Sequence, residues 1–237
     1  DMERKIKLIL ALAISCLSIV TVNAQDYPTI SPNATFTDAE GHTEEGTSFS
    51  GSAPITVKLQ ANPTATDGWT PYYEWRFYTD NNTSPYLVRY EQNTDFTFNV
   101  AGSHRIICYA KFSKSGQTAI EVSNEEEPIT ISISESKLEM PNAFSPNGDG
   151  INDIYKAKAG YQSLVEFHAY IFNRWGQKLY EWDNPANGWD GTYKGKDVKQ
   201  GVYFVLVKAK GADGRIFNIK KDVNLLRGYT EASTVTE

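Results

Sequence analysis

His104-Arg-Ile-Ile-Cys-Tyr-Ala-Lys-Phe112 places Ile106, Cys108 and Ala110 on one side of an extended chain and Ile107 and Tyr109 on the other. A period of two is that of a β-strand, and nine such residues make a long one. Working outward, the same signature recurs. Residues 72–78, Tyr-Tyr-Glu-Trp-Arg-Phe-Tyr, put Tyr73, Trp75 and Phe77 on one face. Residues 55–60, Ile-Thr-Val-Lys-Leu-Gln, alternate apolar and polar, and 86–90 and 95–100 are shorter runs set off by Asn93 and Asp95. Ile129, Ile131 and Ile133 alternate through 128–134. Short strands spaced by Gly, Pro, Asn and Asp predict an all-β sandwich.

The second half repeats the theme. Val165, Phe167, Ala169 and Ile171 share a face of residues 164–172. Asn173-Arg174-Trp175-Gly176 is a turn, and Lys178-Leu179-Tyr180 returns as a hairpin. Residues 201–210 and 215–226 are strands joined by Gly211-Ala212-Asp213-Gly214. No long stretch has helical periodicity. The fold class expected is therefore all-β, two tandem immunoglobulin-like sandwiches behind a signal peptide.

The signal is expected over residues 1–24. Arg4, Lys5 and Lys7 form a basic head, Ile6 to Val20 an apolar run too short to span a bilayer, and Val22-Asn23-Ala24 a cleavage site. The residues before Cys16 fit a lipid-attachment box poorly. After removal of the signal only Cys108 remains, so no internal disulfide is expected and Cys108 reads as a small core hydrophobe. Residues 25–136 carry 15 acidic and 6 basic side chains, and 137–237 carry 12 and 14. An acidic front half repels nucleic acid and anionic membrane, which removes both as expected partners.

The divisions expected are a partly flexible leader or single edge strand at 25–49, a front sandwich at 50–136, a rear sandwich at 137–227 and a disordered tail at 228–237. Ala53-Pro54-Ile55-Thr56-Val57, a Trp75 strand and Phe96-Thr97-Phe98 followed by Ala101-Gly102 give the front module a resemblance to PKD-like immunoglobulin-type domains. The rear module carries four landmarks in order. They are Phe144-Ser-Pro-Asn-Gly-Asp-Gly-Ile-Asn-Asp153, Ile171-Phe-Asn-Arg-Trp-Gly176, Gly188-Trp-Asp-Gly191 and Gly201-Val-Tyr-Phe204. Together they resemble the gliding-motility-associated C-terminal domain of Bacteroidetes, the type B export domain of the type IX secretion system. The motif residues are Pro146, Asn147, Gly148, Asp149, Gly150, Asn152, Asp153, Asn173, Arg174, Trp175, Gly176, Trp189, Asp190, Gly191, Gly201 and Tyr203. The resemblance implies an exported, surface-directed protein that passes through the periplasm and is read by secretion machinery, with an outer-membrane β-barrel as the partner. Docking by surface patch or by strand addition is then expected, at the 201–210/215–226 hairpin or the 137–144 strand.

Several groups were weighed for chemistry. Ser145, Asn147, Asp149, the Ile151 carbonyl and Asp153 are spaced like the oxygens of a Ca²⁺ loop, the one cofactor the sequence suggests. Only two are carboxylates and no bidentate Glu follows, so ligand count favours an Asx turn with Gly148 and Gly150 at positive φ. Trp175, Trp182 and Trp189, with Tyr72 and Tyr73, offer a glycan-stacking alternative, against which packing is the expected role. A protein ligand for the front module is equally open. His42, His104 and His168 lie far apart, without ligand spacing. No nucleophile–base pair, zinc motif or phosphate loop stands out, so a non-enzymatic protein is expected.

Overall fold

The computed structural model describes residues 27–79 and 82–228. The signal expected at 1–24, and the tail beyond Gly228, lie outside these residues. Every regular element described is a strand.

The front sandwich comprises β1 (Asn33–Thr37), β2 (Thr43–Gly46), β3 (Ser48–Gly51), β4 (Ile55–Gln60), β5 (Thr70–Thr79), β6 (Leu87–Arg89), β7 (Asn93–Phe98), β8 (Gly102–Ser113), β9 (Ile120–Ser123) and β10 (Ile129–Ile133). One sheet runs β2-β1-β4-β7 and the other β3-β10-β8-β5-β6, with β9 also on β8. The stretch 25–49, expected as a leader with one edge strand at most, instead supplies strands to both sheets. Phe36 on β1 is fully buried, and β3 lies parallel to β10. Short Thr-, Ser- and Glu-rich segments offer little alternating apolar pattern, yet Ala34 and Phe36 seat β1 against the core and the polar β2 pairs onto its outer side as the sheet edge.

The core follows from the alternation. Tyr73, Trp75 and Phe77 turn inward from β5, and Ile106, Cys108 and Ala110 from β8, where Trp75 and Cys108 are register partners. They meet Val57, Leu59 and Phe98 from the opposite sheet. Burial pushes the Cys108 thiol up to about 12, which leaves it protonated and inert at neutral pH.

The rear sandwich contains β11 (Ala143–Phe144), β12 (Tyr155–Lys156), β13 (Leu164–Phe172), β14 (Lys178–Trp182), β15 (Gly188–Trp189), β16 (Thr192–Tyr193), β17 (Lys196–Asp197), β18 (Gly201–Gly211) and β19 (Ile216–Leu225). Its main sheet runs β11-β19-β18-β13-β14. The opposing layer is reduced to two short ladders, β12–β15 and β16–β17. Trp189, Tyr155, Phe144 and Met140 fill the space between.

Two expectations about edges are corrected. β18 is interior, flanked by β13 and β19, and of the 137–144 stretch only Ala143 and Phe144 form a strand. Those two residues cover Asn224 and Leu225, and among the described residues no strand pairs with the outer side of β19 from Ile216 to Val223.

The sandwiches are joined by a polar seam. Ser163 Oγ accepts from the Ala53 amide (3.2 Å) and bonds Ser134 Oγ (2.9 Å). The Ala101 amide donates to the Ala212 carbonyl at 3.0 Å, and Ala212 is buried with the front core. Asp213 accepts from the Ser136 amide and hydroxyl at 3.0 and 2.7 Å. Those bonds, the Ser136 hydroxyl first, hold the Asp213 carboxyl down at about 2.

Candidate functional site

The landmark motifs of the rear sandwich divide into those the fold uses and those it leaves outside. Phe144 to Asp153 is used. Asp153 accepts from the amides of Asn147 (2.9 Å) and Gly148 (2.8 Å) through one oxygen and of Gly150 (2.8 Å) through the other. These bonds lower its pKa, the Gly148 bond most. Asp149 Oδ1 accepts from the Ile151 amide, Asn147 Oδ1 from the Asp149 amide, and Ser145 Oγ faces the Ile151 carbonyl at 3.5 Å. Gly148 and Gly150 adopt φ of +83° and +84°, and Asn152 φ of +53°. The five oxygens considered for Ca²⁺ are thus engaged within the loop itself, the bonding of an Asx turn.

Gly188-Trp189-Asp190-Gly191 is also used. Trp189 is fully buried, stacks near Phe144 and Tyr203 at 5.4 and 5.2 Å, and donates Nε1–H to the Thr192 carbonyl at 2.8 Å. Asp190 accepts from the Thr192 amide and hydroxyl. A Cβ on Gly188 would stand 2.3 Å from the Tyr155 carbonyl oxygen, so only glycine fits. Arg227 ties these loops together. It donates to the carbonyls of Gly191 (2.7 Å), Val198 (3.1 Å) and Pro146 (3.2 Å).

The other two landmarks meet on the outer face of the main sheet. Phe172 on β13 is the register partner of Phe204 on β18, and Tyr170 that of Leu206. Even-numbered residues of β18 point away from the core, so Val202 (48 % exposed) and Phe204 (42 % exposed) face solvent while Tyr203 and Val205 are buried. The Asn173–Gly176 turn continues from the end of this stripe. Asn173 Oδ1 accepts the amides of Trp175 and Gln177, both at 3.0 Å, and Gly176 sits at φ +77°. The fixed turn holds Trp175 outward at 76 % exposure, with the Arg174 guanidinium 4.5 Å from its ring centre. An apolar patch of Val202, Phe204, Leu206, Tyr170 and Phe172 results, and Trp175 stands out from the turn that follows Phe172. On the β19 side the patch is rimmed by the register partners Asn224, Asp222 and Lys220, and the far end of the same face is polar, with His168, Lys208 and Lys210.

Other candidate residues fall elsewhere. Trp182 and Trp189 are buried, as is Tyr73, so the Trp cluster does not form a stacking platform. His168 faces solvent, and His104 is buried, its ring within 3.0 Å of the Val100 carbonyl. His42 does have carboxylate neighbours, contrary to expectation. Asp38, Glu40 and His42 bring ligand atoms within 4.8 Å of one another, because the turn at 38–42 folds back on Asp38. All three lie at or near the surface, where His42 Nδ1 stands 3.0 Å from Asp38 Oδ2, within hydrogen-bond distance.

Residues 138–220 match the model of the CHU_C type IX secretion signal domain. The match spans most of the rear sandwich. A signal of this type is read by secretion machinery and implies export and surface association. No helix of the described residues is long and apolar enough to cross a membrane. No curated protein matches the chain. Among solved structures, the fibronectin(III)-like modules of Clostridium thermocellum CbhA align at 14 % identity and a TM-score of 0.22, covering 80 % of this chain and 94 % of theirs. A tetra-tandem repeat from the extending region of a large adhesion protein aligns at 12 % identity and a TM-score of 0.24, covering 85 % and 68 %. Scores this low bear on neither ligand nor partner.

Proposed function

We propose that the chain is a non-enzymatic, exported protein whose rear sandwich docks on the type IX machinery through the outer face of its main sheet. The supporting observation is the exposed pairing of Phe172 with Phe204, beside Val202, and Trp175 held outward by the turn that follows Phe172. Two of the four landmark motifs converge there, yet the fold leaves their large apolar groups in water, which is costly unless a partner covers them. The buried Trp189 and the hydrogen-bonded Asp153 turn act as the frame that keeps this face rigid. The partner in this reading is an outer-membrane β-barrel or a component bound to one, met on the periplasmic side before the protein reaches the surface. One strand away, the outer side of β19 from Ile216 to Val223, which carries no strand among the described residues, provides an edge at which a partner strand can add. The front sandwich then serves as a spacer or interaction module.

A reporter fused to residues 137–237 tests this. Surface delivery of the fusion in cells with an intact type IX system, and periplasmic retention in cells lacking it, are the expected results. Retention in both backgrounds counts against the proposal.

A further inference from the structure

The front sandwich carries a second built surface, on the outer face of the sheet containing β5 and β8. A groove of about 370 Å³ lies across β5, β8 and β9, lined by Tyr72, Glu74, Arg76, Tyr109, Lys111 and Glu121. That volume is at the small end of ligand clefts, about 300–1,000 Å³. Tyr72 and Tyr90, 49 % and 61 % exposed, set their rings 6.1 Å apart at its rim.

The charges in the groove are matched in pairs. Arg76 Nε donates to Glu74 Oε1 at 2.5 Å, and its guanidinium lies 4.1 Å from the Tyr109 ring centre. Lys111 Nζ meets Glu121 Oε1 at 2.8 Å. Tyr72 Oη donates to Glu74 Oε2 at 3.3 Å. Two cations and two anions therefore cancel inside the groove. A charged ligand would have to break a pair to be held. An acidic one would also meet the surplus of nine negative charges on residues 25–136. An apolar partner would have to desolvate four charged groups.

A neutral pyranose avoids both penalties. Its C–H face covers a tyrosine ring. Its hydroxyls are donors and acceptors at once and can join the carboxylates and the guanidinium, which has further N–H groups to offer. We infer that this groove binds a neutral oligosaccharide, with Tyr72 and Tyr90 as the stacking platform and Glu74, Arg76 and Lys111 as the hydroxyl partners. The inference is independent of how the rear sandwich docks.

Isothermal titration of the full chain with cellohexaose, xylohexaose and mannohexaose, and with hexagalacturonate as the acidic counterpart, tests it. Saturable binding of at least one neutral hexamer is expected, with hexagalacturonate inert. Tyr72→Ala should weaken that binding about tenfold or more, the loss typical of a truncated aromatic anchor, and Tyr90→Ala should weaken it to a lesser degree. Ile216→Ala on the rear sandwich should leave it unchanged. Both tyrosines are exposed, so an unaltered melting curve separates lost binding from lost folding. No heat with any neutral hexamer, preference for hexagalacturonate, or binding indifferent to both tyrosine substitutions overturns the inference.

Discussion

On the outer face of the front sandwich, Arg76 lies over Tyr109 and Arg105 over Tyr78, and Glu74 and Glu121 each hold a cation. On the outer face of the rear sandwich, Val202 and Phe204 stand in water and Trp175 is covered only by its neighbour Arg174. Both faces belong to sheets with well-filled inner sides, so neither pattern is dictated by folding. The front face is internally satisfied and suits a ligand that inserts into existing hydrogen bonds. The rear face is unsatisfied and suits a partner that removes apolar area from water.

Core substitutions should break the two halves separately and give the largest effects. Trp75→Ala in the front and Trp189→Ala in the rear each remove a fully buried indole, a loss of about 3–5 kcal/mol. Calorimetry should show the front transition lowered by the first and the rear transition by the second. A single transition moved equally by both would mean that the Ser163, Ala212 and Asp213 seam makes the sandwiches one cooperative unit. Next in size is Asp153→Asn, which weakens the acceptor of three backbone amides and should lower the rear transition alone. Millimolar Ca²⁺ should leave the wild-type rear transition where it is. Clear stabilisation would favour the ion-loop reading of Ser145 to Asp153 over the Asx turn.

The seam itself should be acid-sensitive. Asp213 has a carboxyl pKa of about 2, below its ordinary 3.8, so its contribution is complete above about pH 4 and is lost as pH falls toward 2. Small-angle scattering across that range should show the molecule lengthening as the sandwiches part. Asp213→Asn should remove that step. The smallest effect expected is on stability at the rear face. Trp175→Ala should change the melting free energy by no more than about 0.5 kcal/mol, as is usual for an exposed side chain.

Legibility in the sequence followed regularity. Ile55–Gln60 and Leu164–Phe172 were readable to the residue, because alternation over six to nine positions has one explanation. The strands β1 to β3 were not, since polar four- and five-residue segments alternate weakly, nor was β9, whose alternation of Ile120 and Val122 lasts only four residues. The two-residue ladders of the rear layer have no period at all. The same limit applies to the site. The β5 alternation assigned Tyr73 inward with Trp75 and Phe77. Trp175 and Trp189 both lie in short irregular motifs, and only the fold shows one outward and the other buried. Arg227 joins loops that are 36 and 81 residues away in the chain, a relation without a local signature. Asp38, Glu40 and His42 escaped notice because their proximity comes from a turn.

The decisive measurement is surface delivery of the 137–237 reporter carrying Phe204→Asp together with Trp175→Ala. Docking through the exposed apolar face predicts a domain that melts like wild type yet stays in the periplasm. Delivery at the wild-type level with that face destroyed would mean the machinery reads another part of the sandwich.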